Sequence, residues 1–148
     1  MSNINYDNLK RVIKKSMLSE QEEEGNKGGS FKKMMEKLLH SRTQAHIFHL
    51  QTKSFAEHMA LDGFYNGIVP LFDGIVESYQ GKHGIITNYE CDGFEDYSSG
   101  EQVIKYLQTL SNDIEKLRES IKESYIQNQI DTVEELIFST VYKLRFLK

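Results

Sequence analysis

The sequence predicts an all-α protein: a four-helix bundle with a long crossover between its second and third helices and a short helix in front. Three observations carry this. Apolar residues recur at helical spacing through four long stretches. Only one proline and ten glycines interrupt 148 residues. The longest aperiodic segment, residues 81–98 with three glycines, falls between the second and third stretches.

The length suits one domain with a sizeable core. It reads as an N-terminal helix and linker over 1–29 and the bundle over 30–148. With 27% charged and 39% hydrophobic residues, the composition is that of a soluble globular chain. A net charge of −4 argues against a nucleic-acid-binding body and leaves room only for a local basic patch. Cys91 is the only cysteine, which excludes an intrachain disulfide and a thiolate zinc site and suggests a reducing, cytoplasmic setting. No apolar run approaches the length of a membrane span and no signal-peptide core is present, so no membrane partner is expected.

Residues 4–18 suit a short amphipathic helix, with Leu9, Val12, Ile13 and Met17 on one side and Lys10, Arg11, Lys14 and Lys15 on the other. A helix docked on the bundle with a solvated basic face is favoured over a DNA-binding arm. Glu20, Glu22, Glu23 and Glu24 follow directly and neutralise such an arm. The acidic, then glycine-rich run 22–30 (EEEGNKGGS) reads as a linker, with Ser30 as N-cap of the next helix.

The first long helix spans about 31–52, with Phe31, Met34, Leu38, Ala45 and Phe48 at helical spacing. Ser54 with Glu57 three residues on is a capping-box pattern that starts the second helix, expected to stop at Gly81. That helix is apolar almost all round, which predicts burial from more than one direction, and Pro70 should kink it. The crossover of about 17 residues can span roughly 55 Å, more than the roughly 39 Å of the helix before it. Ser98 with Glu101 repeats the capping-box pattern at the start of the third helix, and the fourth begins near Asn128. Val103, Leu107, Leu110, Ile114 and Leu117 face Ile130, Val133, Ile137 and Leu144 as seams of a bundle. Hairpin, long crossover, hairpin is the ferritin-like order of connections.

The chemistry concentrates between His46 and Glu77. His58 and Asp62 are four apart, as are Asp73 and Glu77, so each pair shares a helix face. Asp62 to Asp73 is eleven residues, three turns plus about 20°, so both pairs lie on the same face. They are also roughly 16 Å apart along the axis, too far for one ion that holds its ligands at ~2 Å. A neighbouring helix could complete each half. Alternatively, the same helix of a second copy could pack antiparallel across a two-fold axis and place His58 and Asp62 opposite the other copy's Asp73 and Glu77. His46 would add a nitrogen from the preceding helix. Imidazole and carboxylate without thiolate suit iron, manganese or zinc. Each pair alone is more often an ordinary surface pair, and a histidine among apolar neighbours is usually a satisfied core residue. Two pairs in phase on an over-apolar helix, with His46 beside them, shift the balance toward metal.

At these residues the chain resembles the Dps family of mini-ferritins. The family's ferroxidase signature is a His, a His twelve residues on, an Asp four later, an Asp eleven later and a Glu four later. His46, His58, Asp62, Asp73 and Glu77 match every interval, and the stretch from Gln44 to Phe64 resembles the family's first motif. Similarity in helix order extends over about 31–148. The resemblance implies a homododecameric shell with di-iron sites at its two-fold interfaces. His46, His58 and Asp62 would come from one subunit, Asp73 and Glu77 from the other. Ferrous iron would be oxidised there by peroxide or oxygen and stored as ferric mineral. Departures are Ile47 where the family has Trp, Pro70 between the half-sites, and His49 as an additional imidazole, either a further ligand or a core residue. The basic tail that gives some members DNA binding is rudimentary, so such binding is expected to be weak. The chain also resembles Dps-like proteins of tailed phages, for which the setting would be the host cytoplasm. The alternative expectation is a non-catalytic ferritin-like structural or DNA-associated protein.

Overall fold

The computed structural model describes residues 6–147, and the side chain of Glu24 is outside the description. The expected start of the first helix at residue 4 therefore lies outside the described residues. Four helices form: α1 (Tyr6–Gln51), α2 (Phe55–His83), α3 (Gly100–Ser120) and α4 (Ser124–Phe146).

Cross-helix pairs fix the directions. Phe31 stacks on Tyr79 at one end of the α1–α2 pair and His49 on His58 at the other, so these helices are antiparallel. Gln129 bonds Ser78 and Leu136 lies against Gly67, which sets α4 antiparallel to α2. Arg118 with Asp131 and Ser111 with Glu134 do the same for α3 and α4. Lys37 with Asp113 and His40 with Tyr106 make α1 and α3 antiparallel. The packed pairs α1–α2, α2–α4, α4–α3 and α3–α1 close a ring, so α2 and α3 point the same way across it. The connection between them must then run the length of the bundle. The core fills the ring with Phe31, Phe48, Phe64, Leu61, Ile75, Leu107, Ile114, Ile130 and Ile137, all fully buried.

The crossover, residues 84–99, is held by polar side chains, glutamine amides above all. Gln44, itself buried, donates to the Glu95 carbonyl at 2.7 Å and accepts from the Glu95 amide at 2.8 Å. Gln51 donates to Asp96 Oδ1 at 2.8 Å and accepts from the Tyr97 amide at 2.6 Å. Gln102 accepts from the Ser98 amide and hydroxyl at 2.7 and 2.9 Å. His40 donates through Nε2 to the Gly93 carbonyl, and Glu36 accepts from the Glu90 amide, both at 2.9 Å. These side chains satisfy backbone groups that have no ladder or helix of their own.

Five expectations need correction. The run 22–30 is no linker but part of α1, which is continuous from Tyr6. Glycine costs only about 1 kcal/mol per helical position, and a helix growing from both sides needs no new nucleus there. Nor is the N-terminal segment docked: every described side chain from 6 to 27 is exposed. Gly81 lies inside α2, and the stop is Gly84, at φ 97°, a conformation glycine adopts without strain, with its amide on the Gln80 carbonyl. The N-cap of α3 is Ser99, which accepts from the Gln102 amide, because Ser98 is taken up by the Gln102 side chain. The fourth helix begins at Ser124, so the turn before it is tighter than Asn128 suggested.

α2 runs as one helix through Pro70. Its inner face is buried, but Phe55, Met59 and Val69 on the outer side stay exposed, so the second covering that its composition predicts is not provided by this chain. Among the described residues no helix is long and apolar enough to cross a membrane.

Candidate functional site

The site begins at the corner between α1 and α2. Ser54 caps α2, its hydroxyl accepting from the Glu57 amide at 3.3 Å. The expected reciprocal half of the box is rerouted. The Ser54 amide goes to Thr52 Oγ1, and Glu57 Oε2 accepts from both Thr52 Oγ1 and the Tyr97 hydroxyl, each at 2.6 Å. Burial, then this bond to a carboxylate, raises the Tyr97 pKa. Gly100 packs so close to the Glu57 carboxylate that a β-carbon there would collide with it. The corner, the end of the crossover and the start of α3 are thus one joint.

Beside it lies the histidine cluster. His49 Nδ1 is 2.8 Å from the His58 carbonyl, and His58 Nδ1 is 2.9 Å from the His49 carbonyl. A carbonyl only accepts, so both rings carry their proton on Nδ1 and, when neutral, keep Nε2 as the lone-pair nitrogen. The rings stack with centroids 3.6 Å apart. The His49 carbonyl lies in the last turn of α1, where helix geometry leaves carbonyls unpartnered, so His58 also caps α1. This fixing of the tautomer by a backbone carbonyl is the support that metal-binding histidines use.

His46 is half-buried and stacks on Tyr65 at 4.3 Å. Tyr65 also meets His49 edge-on at 5.2 Å, and its hydroxyl donates to Asp62 Oδ1 at 2.8 Å. That bond, then burial, raises the Tyr65 pKa, since the carboxylate favours the protonated phenol. Asp62 keeps its other oxygen free of any described partner. The structure therefore brings His46, His49, His58, Asp62 and Tyr65 into one neighbourhood.

Asp73 and Glu77 are elsewhere. Both are exposed, and among the described residues neither makes a hydrogen bond or ion pair. Asp73 borders only a small hollow with Leu39, Arg42 and Val69. No three His, Cys, Asp or Glu side chains among the described residues are grouped to hold a metal ion. The donor chemistry, imidazole nitrogen with carboxylate oxygen, is of the kind that suits iron, manganese or zinc.

The match to known sequences falls on this region. Residues 49–144 match the model of DUF5856, a family of unknown function. The chain belongs to this family. The DUF5856 match takes in His49, His58, Asp62, Asp73 and Glu77, and begins after His46 and the projecting part of α1. No curated protein matches the chain, and no solved structure does either.

The roles of four residues are not read from the sequence. Tyr65 lies on the over-apolar helix, yet a tyrosine three residues after an aspartate on a helix can reach its carboxylate, as it does here. His49, which the sequence leaves open between ligand and core, is buried and bonded to the His58 backbone. Gln44 and Gln51 gave no signal, because their partners lie 51 and 46 residues away.

Proposed function

We propose that the protein is a mini-ferritin of Dps type: a ferritin-like bundle that assembles with copies of itself, oxidises ferrous iron at intersubunit sites and stores the ferric product. The observation that carries this reading is the position of Asp73 and Glu77. Two carboxylates without partners stand on an uncovered α2 face, beside exposed Val69 and in phase with His58 and Asp62. A second α2 packed antiparallel on that face covers Phe55, Met59 and Val69 and completes both halves at once. The ring order, with parallel α2 and α3 joined by a full-length crossover, supports the ferritin-like form of the bundle.

In this reading iron is the substrate. His46 and His58 each offer an imidazole nitrogen and Asp62 its free oxygen. Asp73 and Glu77 of the second copy supply charge that offsets the ion's. Apolar residues around the face exclude water once it is covered. Each ferrous ion gives up one electron, so two ions reduce one peroxide to water. By the resemblance to the Dps family the assembly would be a homododecamer, and a closed shell is what storage requires.

The test is anaerobic ferrous loading of the purified assembly followed by peroxide, with native mass and iron content read on the same sample. Ferric absorbance should appear in the wild type and vanish in His58→Ala/Asp62→Ala. It should also vanish in Asp73→Ala/Glu77→Ala, which alters only exposed side chains and so should leave thermal stability unchanged. Unaltered kinetics in both variants would sink the assignment. A wild-type assembly that takes up no iron would favour the second reading, a non-catalytic ferritin-like structural or DNA-associated protein. The observation on its side is the projecting part of α1, which exposes Lys10, Arg11, Lys14 and Lys15.

A further inference from the structure

A cleft of about 820 Å³ lies between α1, α3 and the crossover, and no member of the histidine cluster lines it. Its three walls are tied to one another. Lys37 of α1 pairs with Asp113 of α3 at 2.5 Å. His40 of α1 donates through Nε2 to the Gly93 carbonyl of the crossover, so its Nδ1 accepts from the Tyr106 hydroxyl of α3 at 2.8 Å. Gln102 of α3 donates to the Asp96 carbonyl at 3.0 Å, which joins α3 to the crossover. The cleft is therefore formed before a ligand arrives, and binding need not order its walls.

The lining carries three lysines and five carboxylates, and some of them cancel. Asp113 is taken by Lys37, and Glu36 by Lys32 at 3.6 Å. Lys33 and Lys105 then share the cleft with Glu90, Asp92 and Glu95. Among the described residues neither lysine reaches a carboxylate. Unpaired charges of both signs thus line one cleft and stay apart. An anion entering it meets three carboxylates, and a cation meets two lysines. A molecule with one charge of each sign, held apart by a chain, answers both sets.

The cleft also sets the length of that chain. Lys33 lies eleven residues before Gln44, which fastens Glu95 to α1. That distance is roughly 16 Å of helix, which four or five extended residues span at ~3.3 Å each. Tyr106, having given its proton to His40, keeps lone pairs that accept a peptide N–H, and buried Leu110 offers an apolar surface to small side chains.

We propose that this cleft binds a short peptide of about four residues with free ends, its carboxylate on a lysine and its ammonium group on the crossover carboxylates. Nothing in this depends on iron.

The experiment titrates tetra-alanine into the full-length protein by calorimetry. Saturable binding is expected, at least tenfold weaker for N-acetyl-tetra-alanine, for tetra-alanine amide and for alanine alone. Lys33→Gln/Lys105→Gln and Asp92→Asn/Glu95→Gln should each weaken tetra-alanine binding at least tenfold while melting as the wild type does. Glu135→Gln, which removes an exposed carboxylate of α4 outside the cleft, should leave binding unchanged. No saturable binding of tetra-alanine overturns the proposal. So does equal binding of either blocked peptide or of alanine, or affinity that survives both double substitutions.

Discussion

The two carboxylate-bearing pairs of α2 sit on one helix and differ in almost everything else. His58 and Asp62 are tied into the fold: one caps the end of α1 and stacks on His49, the other holds Tyr65. Asp73 and Glu77 meet solvent and hold nothing among the described residues. For the first pair, structural and chemical roles overlap, so a loss of activity on mutation is ambiguous alone. For the second pair no structural role is seen among the described residues. The pairs are therefore unequal as tests of function, and the exposed one is the cleaner.

The largest effect that probes this contrast lies in the core beneath the first pair. Leu61, fully buried between His58 and Asp62, should cost about 3 kcal/mol when cut to alanine. Val69→Ala, on the outer face, should cost about 0.5 kcal/mol or less. Chemical denaturation of the two variants measures both, and equal losses would refute the division of α2 into an inner and an outer face. His49→Ala comes next, at about 1–2 kcal/mol, because it removes a nearly buried ring and leaves the His58 carbonyl without that donor. The same denaturation series reads it.

A pH-dependent effect concerns how the far end of α2 is anchored. Glu123 takes a 2.7 Å ion pair from Lys82 and a 3.0 Å contact from His83, and its pKa is held down to about 2, chiefly by Lys82. A carboxylate whose folded pKa lies below its ordinary 4.5 stabilises the fold in full above that value. The contribution is lost as pH falls from there toward 2. With Lys82 half-exposed, about 1 kcal/mol is expected. Wild type and Glu123→Gln should therefore differ in thermal stability at pH 7 and converge near pH 2. A difference that persists at pH 2 would mean that Glu123 acts through packing rather than charge.

Much of the fold was legible because helix periodicity and burial are the same fact seen twice. Val103, Leu107, Leu110, Ile114 and Leu117 step along one face in the sequence, and all are buried. Boundaries were less legible, since they depend on which of several adequate residues wins. Ser98 and Ser99 are equally good caps, and the Gln102 side chain decides between them. Gly81 and Gly84 are equally good stops, and only Gly84 takes the positive φ. The run 22–30 misled because glycine propensity is a weak preference in a chain already helical on both sides. In the candidate site, the spacing of His58, Asp62, Asp73 and Glu77 was readable because helix geometry converts numbers into faces. The Tyr65 and His49 contacts were not, because they need the angle at which α1 crosses α2.

The side chains that pin the crossover have a further consequence, one of length. Glu36, His40, Gln44 and Gln51 step along one side of α1 and fasten, in the same order, to residues 90, 93, 95 and 97. From 36 to 51 a helix rises roughly 22 Å, and seven extended residues cover roughly 23 Å. The strand-like segment is therefore measured out against α1 with almost no slack, and a one-residue deletion inside it must break a fastening. Residues 87–89, between the bond of the Ile86 amide to Gln80 and the first of these fastenings, carry no such gauge. Variation in the length of this connection has room there, whereas the stretch from 90 to 97 behaves as a ruler read against the helix beside it.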